Sequence, residues 1–191
     1  MSALQIVTAG HPALREPARE VSREELGQAG TQLFIDELIG TMRDAAGAGL
    51  AASQVGDARR IAVVEVHGNP RYPYKPDIEL TVMVNPTIEA TSEETFEVNE
   101  GCLSVPGLRG VLRRHAEVRV SYLDRDGEAH EEVRRGLTAG TFQHEIDHLD
   151  GVLFLDRVAD PRTFMTWEQF DRFHRAAFEA QARAIVARYG S

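Results

Sequence analysis

At 191 residues, with 42% hydrophobic and 27% charged side chains, the chain has the length and composition of one globular domain able to bury a core. Its formal charge of −9 argues against general binding to nucleic acid or anionic membranes, and no apolar run approaches the roughly 20 residues that a membrane span needs. A single cysteine cannot form an internal disulfide, and the first residues lack the basic start and apolar stretch of a secretion signal, so the expected location is the cytoplasm.

In chain order, Ser22-Arg-Glu-Glu25 carries the capping-box pattern of a helix start. Ile35, Leu38, Ile39, Met42 and Ala46 follow helical spacing and predict a core-facing stripe that ends at Gly47 and Gly49. Residues 60–66 are apolar and β-branched, as in a buried strand. Residues 67–76, with Pro70, Pro73 and Pro76, read as a surface loop. Residues 80–85 and 87–91 read as two strands broken at Pro86. Val118, Val120 and Tyr122 alternate as in a strand, and Asp126-Gly127 predicts a hairpin turn into 128–135. A central helix is expected over 137–150, with Gly151 as its stop. A C-terminal helical segment over 166–188 carries Trp167, Phe170, Phe173, Phe178 and Ile185, aromatics that suit docking on a core. The expected class is α+β: antiparallel strands packed around a central metal-binding helix, with an N-terminal and a C-terminal helix, as one domain over 1–191.

The central helix carries the chemistry. In His144-Glu-Ile-Asp-His148 the two histidines stand one turn apart on one face, so both imidazoles can reach one metal ion. Glu145 is then held beside that ion, where a general base for an activated water belongs. Asp147 is turned about 100° from His148 and suits an orienting role rather than ligation. Phe142, Ile146 and Leu149 face the core, whereas Leu137, Gly140 and Thr141 share the side of the histidines. Small residues one turn before a ligand leave a hollow for a substrate group, although Gly140 could equally serve close helix packing. A lone cysteine is by default a buried structural thiol, so spacing alone does not make Cys102 a third ligand. His11, His67, His115, His130 and His174 have no metal-like spacing. Of the 21 basic residues only Lys75 is a lysine, a bias ascribed to codon composition.

Three segments taken together resemble the peptide deformylase family: Gly47-Ala-Gly-Leu-Ala-Ala-Ser-Gln54, Glu100-Gly-Cys-Leu-Ser104 and Gln143-His-Glu-Ile-Asp-His148. His11-Pro-Ala-Leu-Arg15 and Gly151-Val-Leu-Phe-Leu-Asp156 extend the resemblance over nearly the whole chain. It implies a metal-dependent hydrolase that removes the formyl group from the N-terminal formyl-methionine of newly made polypeptides. Cys102, His144 and His148 would hold the metal, ferrous iron (Fe2+) first, with Zn2+, Ni2+ or Co2+ as substitutes. Glu145 would be the acid and base, with the Gln54 side-chain amide and the Leu103 backbone N–H stabilising the oxyanion. Gly49 would bind substrate backbone, and Val98, Glu100, Leu137, Gly140 and Thr141 would surround the methionine side chain. Arg109 would stand near the mouth, unless it is a solvated surface charge. The implied partners are N-formyl-methionyl nascent polypeptides, with the ribosome near the exit tunnel as a further contact through tail arginines, and neither membrane nor nucleic acid. Two other classes use parts of the same pattern: a zinc endopeptidase, for which only His174 could serve as a downstream ligand, and a non-catalytic binding protein on the same fold.

Overall fold

The computed structural model describes residues 3–69 and 71–191; Pro70 of the expected loop lies outside them. Its strands are β1 (Gly49–Ala51), β2 (Ile61–Val66), β3 (Ile78–Ala90), β4 (Thr95–Cys102), β5 (Val105–His115), β6 (Glu117–Leu123), β7 (Ala129–Arg135) and β8 (Met165–Thr166). They form two antiparallel sheets, one ordered β1-β2-β3-β6-β7 and one ordered β4-β5-β8. The helices are α1 (Arg23–Leu26), α2 (Ala29–Asp44), α3 (Gly136–Leu149), α4 (Phe154–Arg157), α5 (Trp167–Gln169) and α6 (Arg175–Tyr189). Among the described residues, no helix is long and apolar enough to cross a membrane.

The capping sequence at Ser22 closes only one turn. The Ser22 hydroxyl accepts from the Glu25 backbone N–H at 3.1 Å, and the long helix α2 starts afresh at Ala29. Ile35, Leu38, Ile39 and Met42 are buried as expected, packing with Leu50, Ile61 and Val63. Ala46 is not on that stripe. The helix stops at Asp44, and Ala46 takes a left-handed φ of 49°, a place more often filled by glycine.

The break at Pro86 is also resolved differently from expectation: β3 runs on through it. The register slips between Val84 and Thr87, with Asn85 at φ 52°, so the proline sits in a bulge where no ladder donor is required. The Asn85 amide spends both its ends on Val21, donating to its carbonyl and accepting from its N–H, each at 2.8 Å.

Strands β4 and β5 have no counterpart among the sequence expectations. Gly101, Gly107 and Gly110 interrupt their alternation, and Arg109 and Arg114 occupy buried positions, so no clean apolar period marks them. Their sheet packs on one side of α3 while the larger sheet packs on the other. Phe142, Ile146 and Leu149 meet Val64, Met83, Val118 and Val120 of the large sheet, and Leu137 meets Phe96 and Val98 of the small one. The Gln143 side chain pins helix to strand, donating to the His115 carbonyl at 2.9 Å and accepting from its N–H at 3.0 Å. Every residue of α3 except His144 is buried.

The tail is helical over the expected span, but one wide π turn (Phe170–His174) separates α5 from α6. Phe170, Phe178, Ala182 and Ile185 pack with Phe96 and Leu112, whereas Phe173 is 63% exposed and takes no part in docking. The segment after β2, expected on the surface, folds inward: Tyr72 is buried among Ala48, Val64 and Ala139. The Asn69 amide ties the segment to the carbonyls of Ala46 and Gly47, both at 3.1 Å.

Gly151 ends α3 at φ 74°, and a Cβ there would lie 2.6 Å from the Arg15 carbonyl oxygen. Gly151→Ala should therefore lower unfolding stability by about 2 kcal/mol or more in urea titration, combining left-handed strain with a backbone clash. A neutral result would show that the Arg15 segment yields without cost.

Candidate active site

Two structural elements bring three soft donors together. Helical spacing stacks His144 above His148, their ring centroids 4.9 Å apart, and β4 ends by placing the Cys102 thiol beside them. Cys102 Sγ lies 3.2 Å from His148 Nε2, and one ligand atom from each of the three residues falls within 4.8 Å of the others. Glu100 Oε2 sits 2.8 Å from His144 Nδ1, which leaves Nε2 as the nitrogen available to an ion. Burial holds the pKa of His148 well below its ordinary value, keeping it neutral as a ligand must be. At His144 burial acts in the same direction, but hydrogen bonds to Cys102 and Glu100 outweigh it and raise the pKa. A proton and a metal compete for such donors, and a thiolate with two imidazoles suits a divalent ion of intermediate softness.

Glu145 is buried beside this cluster with Oε2 unpartnered among the described residues, and burial pushes its pKa up to about 7. A carboxyl that titrates there can both take and return a proton near neutral pH. Its place depends on a missing side chain: a Cβ on Gly49 would lie 2.5 Å from Glu145 Cγ, Cδ and Oε1. Gln54 is oriented by β1, its Oε1 accepting from Ala51 N–H at 2.9 Å. Its Nε2 is thereby turned toward the cluster, 3.2 Å from Ser104 Oγ and 3.5 Å from Cys102 Sγ. Leu103 follows Cys102 in the turn between β4 and β5, and its side chain packs against Gly47.

Beneath the donors runs a buried charge network. Arg114 forks onto both Glu100 oxygens at 2.8 Å and reaches Asp147 Oδ2 at 2.6 Å; Asp147 also accepts from Arg157. Burial alone would raise the Glu100 pKa, but Arg114 and His144 hold it far below the usual carboxylate range. Sequence reading missed Arg114. Its partners lie on two other elements, and the Arg113-Arg114 pair looks like an ordinary strand face.

Val98, Glu100, Leu137, Gly140 and Thr141 line one cavity, together with Gly49, Arg109, His144 and Glu145. The expectation for Arg109 needs correction there. Arg109 is 1% exposed, so it is neither a surface charge nor a residue at an open mouth. Its guanidinium stacks 4.1 Å from Trp167 and 4.2 Å from Phe170 and donates to the Asn99 carbonyl at 2.7 Å. Gly140 opens onto the cavity, and a Cβ there would stand 3.6 Å from the ring of Phe96, an ordinary contact. Lining residues that were not foreseen include Tyr72, Tyr74 and Lys75 from the inward loop, Phe96 and Asn99 from β4, and Phe178 from α6. No periodicity marks them; the one available signal was that Lys75 is the chain's sole lysine.

A sequence model described as polypeptide deformylase matches residues 3–164. The chain belongs to that family. It is 44% identical over 167 residues to peptide deformylase 2 of a Nostoc species, a match covering 87% of this chain and 92% of that one. A crystal structure of the class I type b peptide deformylase of Acinetobacter baumannii with Met-Ala-Ser bound superposes with a TM-score of 0.79 at 40% identity, covering 82% of this chain and 99% of the other. The Synechococcus elongatus peptide deformylase in complex with actinonin gives 0.73 at 36% identity, covering 94% and 88%. Trp167, Phe170 and Phe178 lie beyond the matched family segment, so part of the cavity wall and the stack on Arg109 come from outside it.

Gly49→Ala should bring about a loss of turnover without a comparable loss of stability, because the atoms that must move belong to Glu145 rather than to the backbone. The expected fall in kcat is about 10²-fold, the lower range for a misplaced general base. Metal content and denaturation midpoint are the controls, and unchanged kcat would mean that Glu145 has another productive position.

Proposed function

We infer the division of labour within this site from its geometry; the reaction itself is the family's, hydrolytic removal of the formyl group from the N-terminal formyl-methionine of newly synthesised polypeptides. The carrying observation is convergence. Glu145, with one carboxylate oxygen unpartnered among the described residues, and the oriented amide of Gln54 line the same cavity as Cys102 and His144 of the three-donor cluster. We assign Cys102, His144 and His148 as metal ligands, and ferrous iron as the resident ion, with zinc, nickel or cobalt able to replace it in a mixed thiolate and imidazole set. When bound, such an ion supplies a Lewis acid that makes hydroxide available near neutral pH.

The remaining work belongs to the chain. Glu145 takes a proton at its free oxygen and returns it to the leaving amine. Gln54 Nε2 and the Leu103 N–H stabilise the charge that develops on the formyl oxygen, an interaction strongest in the transition state. Strand β1 is an edge of its sheet, so Gly49 offers its backbone to an extended peptide as an added strand. The methionine side chain enters between Val98, Glu100, Leu137, Gly140 and Thr141, and Arg109 braces that wall from behind through its aromatic stack. The proposed setting is the cytoplasm, with nascent chains as substrate and the ribosome as a further partner. Arg172 and Arg183 on the outer face of the tail are available for that contact.

Glu145→Gln should retain metal and lose about 10²–10⁴-fold or more in turnover of formyl-Met-Ala-Ser, since shape is kept and the proton acceptor is not. Near-wild-type turnover with normal metal content would rule out Glu145 as the base. Cys102→Ser should bind metal more weakly and alter the absorption spectrum of a cobalt-loaded sample, because serine oxygen is harder and ionises far less readily. Identical metal content, spectrum and turnover would reduce Cys102 to a structural thiol.

A further inference from the structure

The only lysine of the chain lines the cavity assigned above to the methionine side chain; its charge is felt by Glu145, but none of the steps assigned above falls to it. Lys75 is carried by the inward loop between β2 and β3. Its Nζ donates to Thr141 Oγ1 at 2.8 Å, and that hydroxyl donates in turn to the Leu137 carbonyl at 3.1 Å. An ammonium has three N–H donors. Among the described residues Thr141 is its single hydrogen-bond partner, no carboxylate lies within ion-pair distance, and the nearest aromatic face is Tyr72 at 5.2 Å. Burial pulls its pKa down to about 8, while the charges of Glu100 and Glu145 favour the cation.

Around this cation the walls are largely apolar: Tyr74, Phe96, Val98, Leu137 and Phe178. Lys75 is half-buried, and donors of an ammonium turned from water toward these walls gain from an acceptor in the cavity. A thioether sulfur is a weak acceptor and does little for them. Methionine sulfoxide keeps the same unbranched chain and adds a strongly polar oxygen at the sulfur. Because initiation makes the first residue of a new chain a formyl-methionine, oxidation of its sulfur is the change that would set an acceptor at this depth. Leu137, Gly140 and Thr141 line the same cavity as the ammonium, and that threonine holds it.

We propose that the cavity accepts formyl-methionine sulfoxide alongside formyl-methionine, with Lys75 Nζ donating to the sulfoxide oxygen, so that chains with an oxidised first residue are also deformylated. This rests on the reading of the cavity as the methionine site. The test compares formyl-Met(O)-Ala-Ser, formyl-Met-Ala-Ser and formyl-norleucyl-Ala-Ser on the metal-loaded full chain and on Lys75→Met. The wild-type kcat/KM for the sulfoxide should fall within about tenfold of that for methionine, and the sulfoxide-to-norleucine ratio should drop at least about tenfold in the variant, the scale of one charge-assisted hydrogen bond. An unchanged ratio overturns the proposal, whether all substrates decline together or none does.

Should Lys75→Met not fold, product inhibition of the wild type decides. Met(O)-Ala-Ser is expected to bind at least as tightly as norleucyl-Ala-Ser, and binding tenfold weaker refutes the role of Lys75. A wild-type chain inactive on formyl-Met-Ala-Ser would instead sink the deformylase reading, an outcome distinct from an active enzyme whose sulfoxide ratio ignores Lys75.

Discussion

Glu100 stands between the Arg114 guanidinium and the His144 imidazole, and the rest of the site depends on that buried pairing. A helix carrying two histidines, a glutamate and an aspartate has no place between two sheets unless its polar groups are matched. Arg114 supplies the match, binding Glu100 of β4 and Asp147 of α3 from a position on β5. Removal of one member of such a network strands a buried charge at a cost of about 3–5 kcal/mol. The network thus secures helix and strand in one arrangement, and with it the separation of Cys102 from the two histidines. It also orients the His144 ring by occupying its Nδ1, which is how an outer carboxylate selects the nitrogen left for an ion.

The groups proposed as catalytic are placed by close backbone approach rather than by charge. Glu145 fits because Gly49 has no side chain, and Gln54 points inward because its own carbonyl is held by Ala51. The Ser53 hydroxyl donates to the His148 carbonyl at 3.0 Å, so the first motif is bonded directly to the end of the third. Among the described residues Glu145 is left buried without a partner for one oxygen, and burial raises its pKa, as the proposed proton transfer requires. Stability and reactivity are divided between two carboxylates: Glu100 is fully paired and stays ionised, and Glu145 is not.

The cavity is closed by parts of the chain that lie outside the motifs. The inward loop brings Tyr72, Tyr74 and Lys75, and α6 brings Phe178, whose ring meets Tyr74 edge-on at 4.9 Å. Loop and tail therefore bear on one another at the cavity wall. Arg109 is enclosed by the same tail, between Trp167 and Phe170, and gains from each aromatic face while keeping a hydrogen bond to Asn99. The docked tail is thus part of the wall of the site as well as of the core.

The amino-acid sequence by itself determined the features that local spacing carries. The one-turn separation of His144 and His148, the neighbouring Glu145, the core stripes of α2 and α3 and the hairpin at Asp126-Gly127 all follow from the periods of helix and strand. Family membership was also legible, because three separated motifs keep their residues in order. What only the tertiary structure decided involves partners distant along the chain. The pairing of Arg114 with Asp147, the stacking of Arg109 on Trp167 and Phe170 and the entry of Lys75 beside Thr141 each join elements tens of residues apart. Strands β4 and β5 escaped notice for the same reason, since their buried arginines make sense only beside acceptors and aromatic rings that other segments supply. A charge on a strand reads as solvent-facing until its partner is known, and burial of polar groups is a property of the assembled core rather than of any local stretch.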